Sequence, residues 1–173
     1  MWGRDDMKKA QGYTLIELLL YISMLGILLP AVVGFMGLAV ETRVKNQSIA
    51  EVNDQGMAAM DYISQTLRNA TSITTPAAAA SGASLTAVVP TGSLSPTIFD
   101  VSNSALRVKE GAAAAIPLTS SDVQVTNLTF SNLTRSGTAG AVQISFTLSR
   151  LNPSGRAEYD YQKTFTTTAE LGW

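Results

Sequence analysis

The ionisable residue in the least expected setting is Glu17. It lies in "KKAQGYTLIELLLYISMLGILLPAVVGFMGLAV", Lys8 to Val40, where the chain turns predominantly apolar after two lysines and a glycine. From Leu18 to Val40, 23 residues pass without a formal charge. A carboxylate near the centre of a membrane-spanning helix costs roughly 2.5–3.5 kcal/mol on insertion scales, and less near an end. Glu17 therefore needs a cationic partner or a place at the polar boundary. Elsewhere the means for chemistry are sparse. With no cysteine there is no disulfide, thiolate nucleophile or thiolate metal site. With no histidine the commonest general base and metal ligand is missing too. Serines and threonines abound, but no base motif accompanies them, so a hydrolase is not expected. Asp100, Asp122, Glu158 and Asp160 offer hard oxygen ligands, yet no ligand-spaced calcium loop joins them. They read as solvated surface charge. No catalytic residue, metal or cofactor is expected.

Three Asn-x-Thr triplets, beginning at Asn69, Asn127 and Asn132, fit the N-glycosylation pattern. In so threonine-rich a chain they read as coincidence. Tyr159 and Tyr161 flank Asp160 in an alternating run and read as sheet-core residues. Formal net charge over the 173 residues is −1. Residues 73–173 balance six basic side chains (Arg107, Lys109, Arg135, Arg150, Arg156, Lys163) against six acidic ones (Asp100, Glu110, Asp122, Glu158, Asp160, Glu170). Nucleic-acid binding is not expected of a region without a net field.

The element that must carry Glu17 is a helix. A hydrocarbon core takes about 20 apolar residues as a helix, which Leu18–Val40 supplies. Arg4, Lys8 and Lys9 precede the span and Glu41 is the first charge after it. The positive-inside rule then leaves the N-terminus in the cytoplasm. Pro30 removes one backbone hydrogen bond within the span and is expected to kink it. Gly26, Gly34 and Gly37 are either the glycine usual in membrane helices or a hinge. Three roles for the segment compete. One is a secretory signal cut after Ala39, another a plain signal anchor. Both leave Glu17 without a partner.

The third follows from a resemblance. "GYTLIELLLYISMLGILLP" resembles the class III signal of type IV prepilins and pseudopilins. In that family a basic leader ends in Gly, a dedicated membrane peptidase cuts after it and methylates the new N-terminus, and the fifth residue after the cut is Glu. Lys8 and Lys9 match the leader, Gly12 the residue before the cut, Tyr13 the methylated N-terminus and Glu17 the assembly acid. Tyr13 replaces the usual phenylalanine and keeps the ring. Gly26 and Pro30 fall where pilin spans carry helix-weakening residues, though the family's proline more often lies slightly further along. Met7 opens the compact leader "MKKAQG" and is a second candidate start. "VTNLTF", "VQISFTL" and "FTTTAEL" look like the J-type minor pseudopilins and related minor pilins.

Beyond the span the helical period continues. Val44, Val52, Gly56, Ala59, Met60, Ile63, Leu67 and Ala70 recur at three- or four-residue steps, an apolar stripe on one face. One helix from about 14 to about 70 is expected, ended by Thr71, Ser72, Thr74, Thr75 and Pro76. "PAAAASGAS" and "GAAAAIP" read as surface loops. "SLTAVV", "TIFDV" and "ALRVK" read as short strands. Three longer strands, about 122–132, 141–150 and 157–166, form an antiparallel meander. A phase slip near Thr126 and Asn127 predicts a bulge. One face of this sheet would cover the helical stripe.

The expected fold is α+β, a long N-terminal helix packed on an antiparallel β-sheet head. The expected organisation is a cleaved leader 1–12, a transmembrane and filament-core helix 13–40, an amphipathic helix 41–72 and a β-rich head 73–173. The resemblance implies a structural subunit of a type IV pilus or of a type II secretion-like pseudopilus, not an enzyme. Its implied partners are other pilin or pseudopilin subunits, the prepilin peptidase, an inner-membrane assembly platform and the membrane itself. The implied location is the cytoplasmic membrane as a single-pass precursor, then an extracellular or periplasmic filament. The alternatives are a single-span anchored extracytoplasmic binding domain that never polymerises, and an exported enzyme.

Overall fold

The computed structural model describes residues 13–135, 137 and 140–172. The leader, Gly12 included, lies outside them. Contacts divide the chain into two units between Thr42 and Arg43.

Helix α1 runs from Leu15 to Arg68. The Thr14 carbonyl accepts the Leu18 N–H at 3.1 Å, closing the first turn. Every residue from 13 to 43 is exposed. The apolar window of this segment has a mean hydropathy of 2.3 and none of it is buried. Burial begins in the second unit, where Ser48, Val52, Gly56, Ala59, Met60, Ile63 and Leu67 line the face turned to the sheets. The stripe read from the sequence holds, with one change at its start. Ser48 is buried and Val44 only half so. Ser48 tolerates burial because its hydroxyl donates to the Val44 carbonyl at 3.0 Å. The helix ends by tightening: Asn69 N–H reaches both Gln65 and Thr66 carbonyls, and Ala70 N–H reaches Leu67.

Two antiparallel sheets follow where the sequence suggested one. Strands β1 (Ser72–Thr75), β3 (Leu85–Val88), β4 (Thr97–Ser102), β5 (Ala105–Glu110) and β6 (Ile116–Pro117) form the first, in the order β1-β3-β4-β5-β6. Strands β2 (Ser81–Gly82), β7 (Val123–Asn132), β8 (Ala141–Arg150) and β9 (Gln162–Glu170) form the second, in that order. The helix terminator 72–75 is thus a strand, and the alanine-rich loop after it contributes a two-residue strand on β7. Neither is long enough to show a period; each exists because a longer strand offers an edge.

The predicted bulge is present. Register between β7 and β8 shifts between Thr126 and Thr129, and Asn127 takes φ 54°. The third long strand is displaced: residues 157–159 form a 3₁₀ turn and β9 starts at Gln162. The cause is local. The Asn152 side chain donates to Arg156 O at 2.8 Å and accepts from Arg156 N–H at 3.0 Å. This closes the loop and takes Tyr159 out of the sheet.

Inward residues of both sheets and of the helix make one core, in which Phe99, Phe130, Phe146, Ile63 and Leu67 are fully buried. Each such phenylalanine cut to alanine would cost about 3–5 kcal/mol. Phe165 of β9 stacks on Phe146 at 5.6 Å and fills the notch left by Gly56.

Candidate functional site

The sequence singles out Gly12, Tyr13, Glu17 and Pro30. Gly12 lies outside the described residues. Tyr13 precedes the helix, and its ring meets that of Tyr21 edge-on at 6.4 Å. Glu17 falls in the first turn of α1. Its backbone N–H points to the Thr14 hydroxyl at 3.4 Å, so Thr14-Leu15-Ile16-Glu17 has the order of a capping box. This T-x-x-E signal is visible in the sequence but is overshadowed there by the apolar run. An acid in the first turn also faces the positive end of the helix dipole, worth typically 0.3–1 kcal/mol. Among the described residues the exposed Glu17 carboxylate has no hydrogen-bond or ion-pair partner. Tyr13 lies four residues before Glu17, just outside the first helical turn.

Pro30 lies inside α1, which continues through it. The carbonyl its missing N–H would have served belongs to Gly26. Ser23 masks its polarity within the span by donating to the Leu19 carbonyl at 2.6 Å.

In the second unit the polar side chains are spent on joining helix to sheets. Gln55 donates to the Ser120 hydroxyl and accepts the Ser120 N–H, both at 2.8 Å. Glu51 pairs with Arg150 of β8, and Lys163 of β9 donates to Asn53 at 2.6 Å. The Tyr62 hydroxyl donates to Glu110 at 2.8 Å. Burial, then the hydrogen bond to Glu110 and its negative charge, hold the Tyr62 hydroxyl above the ordinary tyrosine range.

The four acids considered as calcium ligands are scattered. Asp100 receives Arg107 through two bonds of 2.9 and 2.8 Å. Glu158 takes Arg156 at 2.7 Å, which with a backbone bond holds its carboxyl below the usual range. Asp122 stands 4.0 Å from Arg150. Among the described residues no three of His, Cys, Asp or Glu converge. Asn132, the start of one Asn-x-Thr triplet, is buried, with its amide on the Pro76 carbonyl at 2.8 Å. Tyr159 is half-buried under the Arg156 guanidinium, 5.9 Å from its ring centre, and is not a sheet-core residue.

Comparison with known proteins adds one finding. Residues 7–29 match the prokaryotic N-terminal methylation motif. No curated protein matches the chain, nor does any solved structure. The matched residues contain the basic leader, Gly12, Tyr13, Glu17 and the first half of the apolar helix. The amino-terminal segment therefore carries the prokaryotic N-terminal methylation motif at the head of a helix long and apolar enough to cross a membrane.

Proposed function

We propose that the chain is a structural subunit of a type IV pilus or a type II secretion-like pseudopilus. It is made as a single-pass precursor in the cytoplasmic membrane, with its N-terminus inside. A prepilin peptidase cuts between Gly12 and Tyr13 and methylates the Tyr13 amine. The mature chain then enters a filament outside the cytoplasmic membrane, with an inner-membrane platform and other pilin or pseudopilin subunits as partners. In this reading residues 13–40 are the filament-core helix, 41–72 the amphipathic continuation and 73–173 the outward head. Pro30 serves as a bend within the core helix.

The observation that carries the reading is the methylation motif joined to an apolar helix with an acid in its first turn. Cutting after Gly12 would create a cationic amine at the positive end of the helix dipole, an unfavourable place for it. Methylation keeps the amine cationic. Glu17, four residues on, is the acid that offsets it, in the same subunit or in a neighbour. A close, hydrogen-bonded pair loses much of the cost that either charge alone would carry in an apolar filament core.

Mass spectrometry of the mature N-terminus tests this. A methylated Tyr13 is expected. An N-terminus at Val40 would point to simple secretion, and an intact leader to an anchored binding domain; either would overturn the filament reading. Replacing Gly12 with a bulky residue should leave full-length protein in the membrane.

A further inference from the structure

The face of the four-stranded sheet turned away from the core is made of hydroxyl and amide side chains. Thr126, Thr147 and Thr164 lie abreast across β7, β8 and β9, and Thr129, Ser145 and Thr166 form the next row. Ser131, Gln143 and Thr168 form a third, extended by Ser81 of β2. Gln124, Ser149 and Gln162 form the row at the other end. All of them are exposed or half-buried. No row contains a charge; Glu170 follows beyond Thr168 at one end, and Arg150 and Asp160 stand in the cavity at the other. The outer face of the other sheet is different, carrying Asp100, Arg107 and Lys109 in neighbouring register. Surface strands commonly carry charge for solubility and against edge pairing, so a charge-free face beside a charged one is a specific property of this sheet.

The hydroxyls are also held in place. Thr147 and Thr164 are hydrogen-bonded at 2.9 Å, Ser145 and Thr166 at 3.1 Å, and Ser81 and Ser131 at 2.8 Å. Each hydroxyl so paired keeps further bonding capacity toward solvent. The rows repeat about every 4.8 Å across strands and about 6.8 Å along them. At the Gln124 end the face opens into a cavity of about 380 Å³, whose walls include Ser149, Gln162, Asn152, Tyr159 and Tyr161 together with Asp160 and with Arg150, which is paired with Glu51. Amide side chains there offer both donors and acceptors, and the two rings offer flat apolar surface beside them.

We propose that this face, with the cavity at its end, binds a neutral polysaccharide. A charged polymer would surrender hydration to strand rows that return no counter-charge, and the Arg150 in the cavity wall is already paired with Glu51. An apolar partner would leave the unpaired hydroxyls and amides, and the remaining capacity of the paired hydroxyls, without bonds. A neutral polymer rich in hydroxyls exchanges water for equivalent bonds along a regular repeat. A terminal or protruding sugar ring finds amides for its hydroxyls and a tyrosine for its C–H face. Because the hydroxyl pairs are already fixed, little rotamer freedom is lost on binding. The site belongs to the unit 43–173 and does not depend on whether the chain polymerises.

The full chain, purified in a polyoxyethylene detergent that carries no sugar, is sedimented with microcrystalline cellulose, chitin or starch granules, and separately passed over heparin and phosphocellulose resins. Depletion by at least one neutral polysaccharide is expected, insensitive to salt and reversed by the matching soluble oligosaccharide. Changing Thr129, Thr164 and Thr166 together to Val removes three hydroxyls and keeps the β-branched shape. Retention should fall about tenfold or more, the loss of two or three net hydrogen bonds. The triple Ser variant should bind as the parent does, and circular dichroism should report the same fold for all three. Tyr159→Ala should weaken competition by the soluble oligosaccharide. Failure of all three polysaccharides to deplete the chain overturns the proposal, as does parental binding by the triple Val variant. Retention on the charged resins alone would make the face an ion-binding one. A dimer in sedimentation velocity that the triple Val variant dissociates would make it a self-association face.

Discussion

Substitution at Glu17 tests insertion and assembly separately. Removing an acid from an apolar helix makes insertion no harder, so Glu17→Val should reach the membrane at least as well as the parent. If the carboxylate offsets the Tyr13 amine, the same variant, as the sole copy, should be absent from sheared filaments. Glu17→Asp, with a shorter reach, should be intermediate. Equal filament recovery for Glu17→Val would leave the acid with only its capping role in the first turn. Tyr62 yields a prediction about pH. Its folded-state hydroxyl is raised by burial first and then by Glu110. The stability tied to the protonated hydroxyl is therefore intact below about pH 10, the unfolded tyrosine value. It is lost as pH rises from there through the raised folded value. Tyr62→Phe removes this group and should show a shallower alkaline decline than the parent in parallel denaturant titrations. At neutral pH it should lose at most about 1 kcal/mol with the bond to Glu110. Identical alkaline slopes would mean that Tyr62 titrates as an unperturbed phenol.

At the scale of elements, one close approach between the second half of α1 and the sheets is open to a direct test. A β-carbon on Gly56 would stand 2.2 Å from Cζ of Phe165 and within 2.6 Å of its neighbours, so the ring must move. Alanine at this position gains about 1 kcal/mol of helix propensity and meets an overpacking cost of about 1–3 kcal/mol. Because the obstacle is a ring already stacked on Phe146, the cost should win, and Gly56→Ala should be destabilising in urea. In a Phe165→Leu background the same change should become neutral or stabilising, a coupling expected of contacting residues. Additive effects would mean that ring and glycine are not in contact. The 3₁₀ turn at 157–159 and the short strands β2 and β6 are smaller matters, set by neighbours and by loop hydrogen bonds.

For the molecule as a whole, the exposed apolar segment and the folded unit that begins at Arg43 differ in how they meet solvent. No residue from 13 to 43 is buried, whereas the second unit encloses a core drawn from helix and both sheets. A chain beginning near Arg43 keeps every core residue and needs no disulfide. It is expected to be soluble and monomeric, with mixed helix and strand signals by circular dichroism and a cooperative urea transition. An unfolded product, with the start varied by a few residues, would mean that the apolar segment is needed for folding.

Sequence alone determined the segment that carries the signal. A basic leader, Gly12, Tyr13, Glu17 and an uncharged run are local features, and neither a membrane helix nor a processing signal needs distant contacts to be read. The helical stripe from Val52 to Ala70 and the alternation in β7 and β8 were legible for the same reason, since burial on one face imposes a period. So was the bulge at Asn127, because an odd step in an even period forces one extra residue into the strand. Tertiary structure decided what has no period. Strands β1 and β2 exist because β3 and β7 present edges to them. Tyr159 left the sheet because Asn152 closes the loop before it. The division into two sheets, the fit of Phe165 over Gly56 and the gathering of threonines from three strands into one charge-free face depend on register between distant segments. That register is set by how the core packs, and no single strand encodes it.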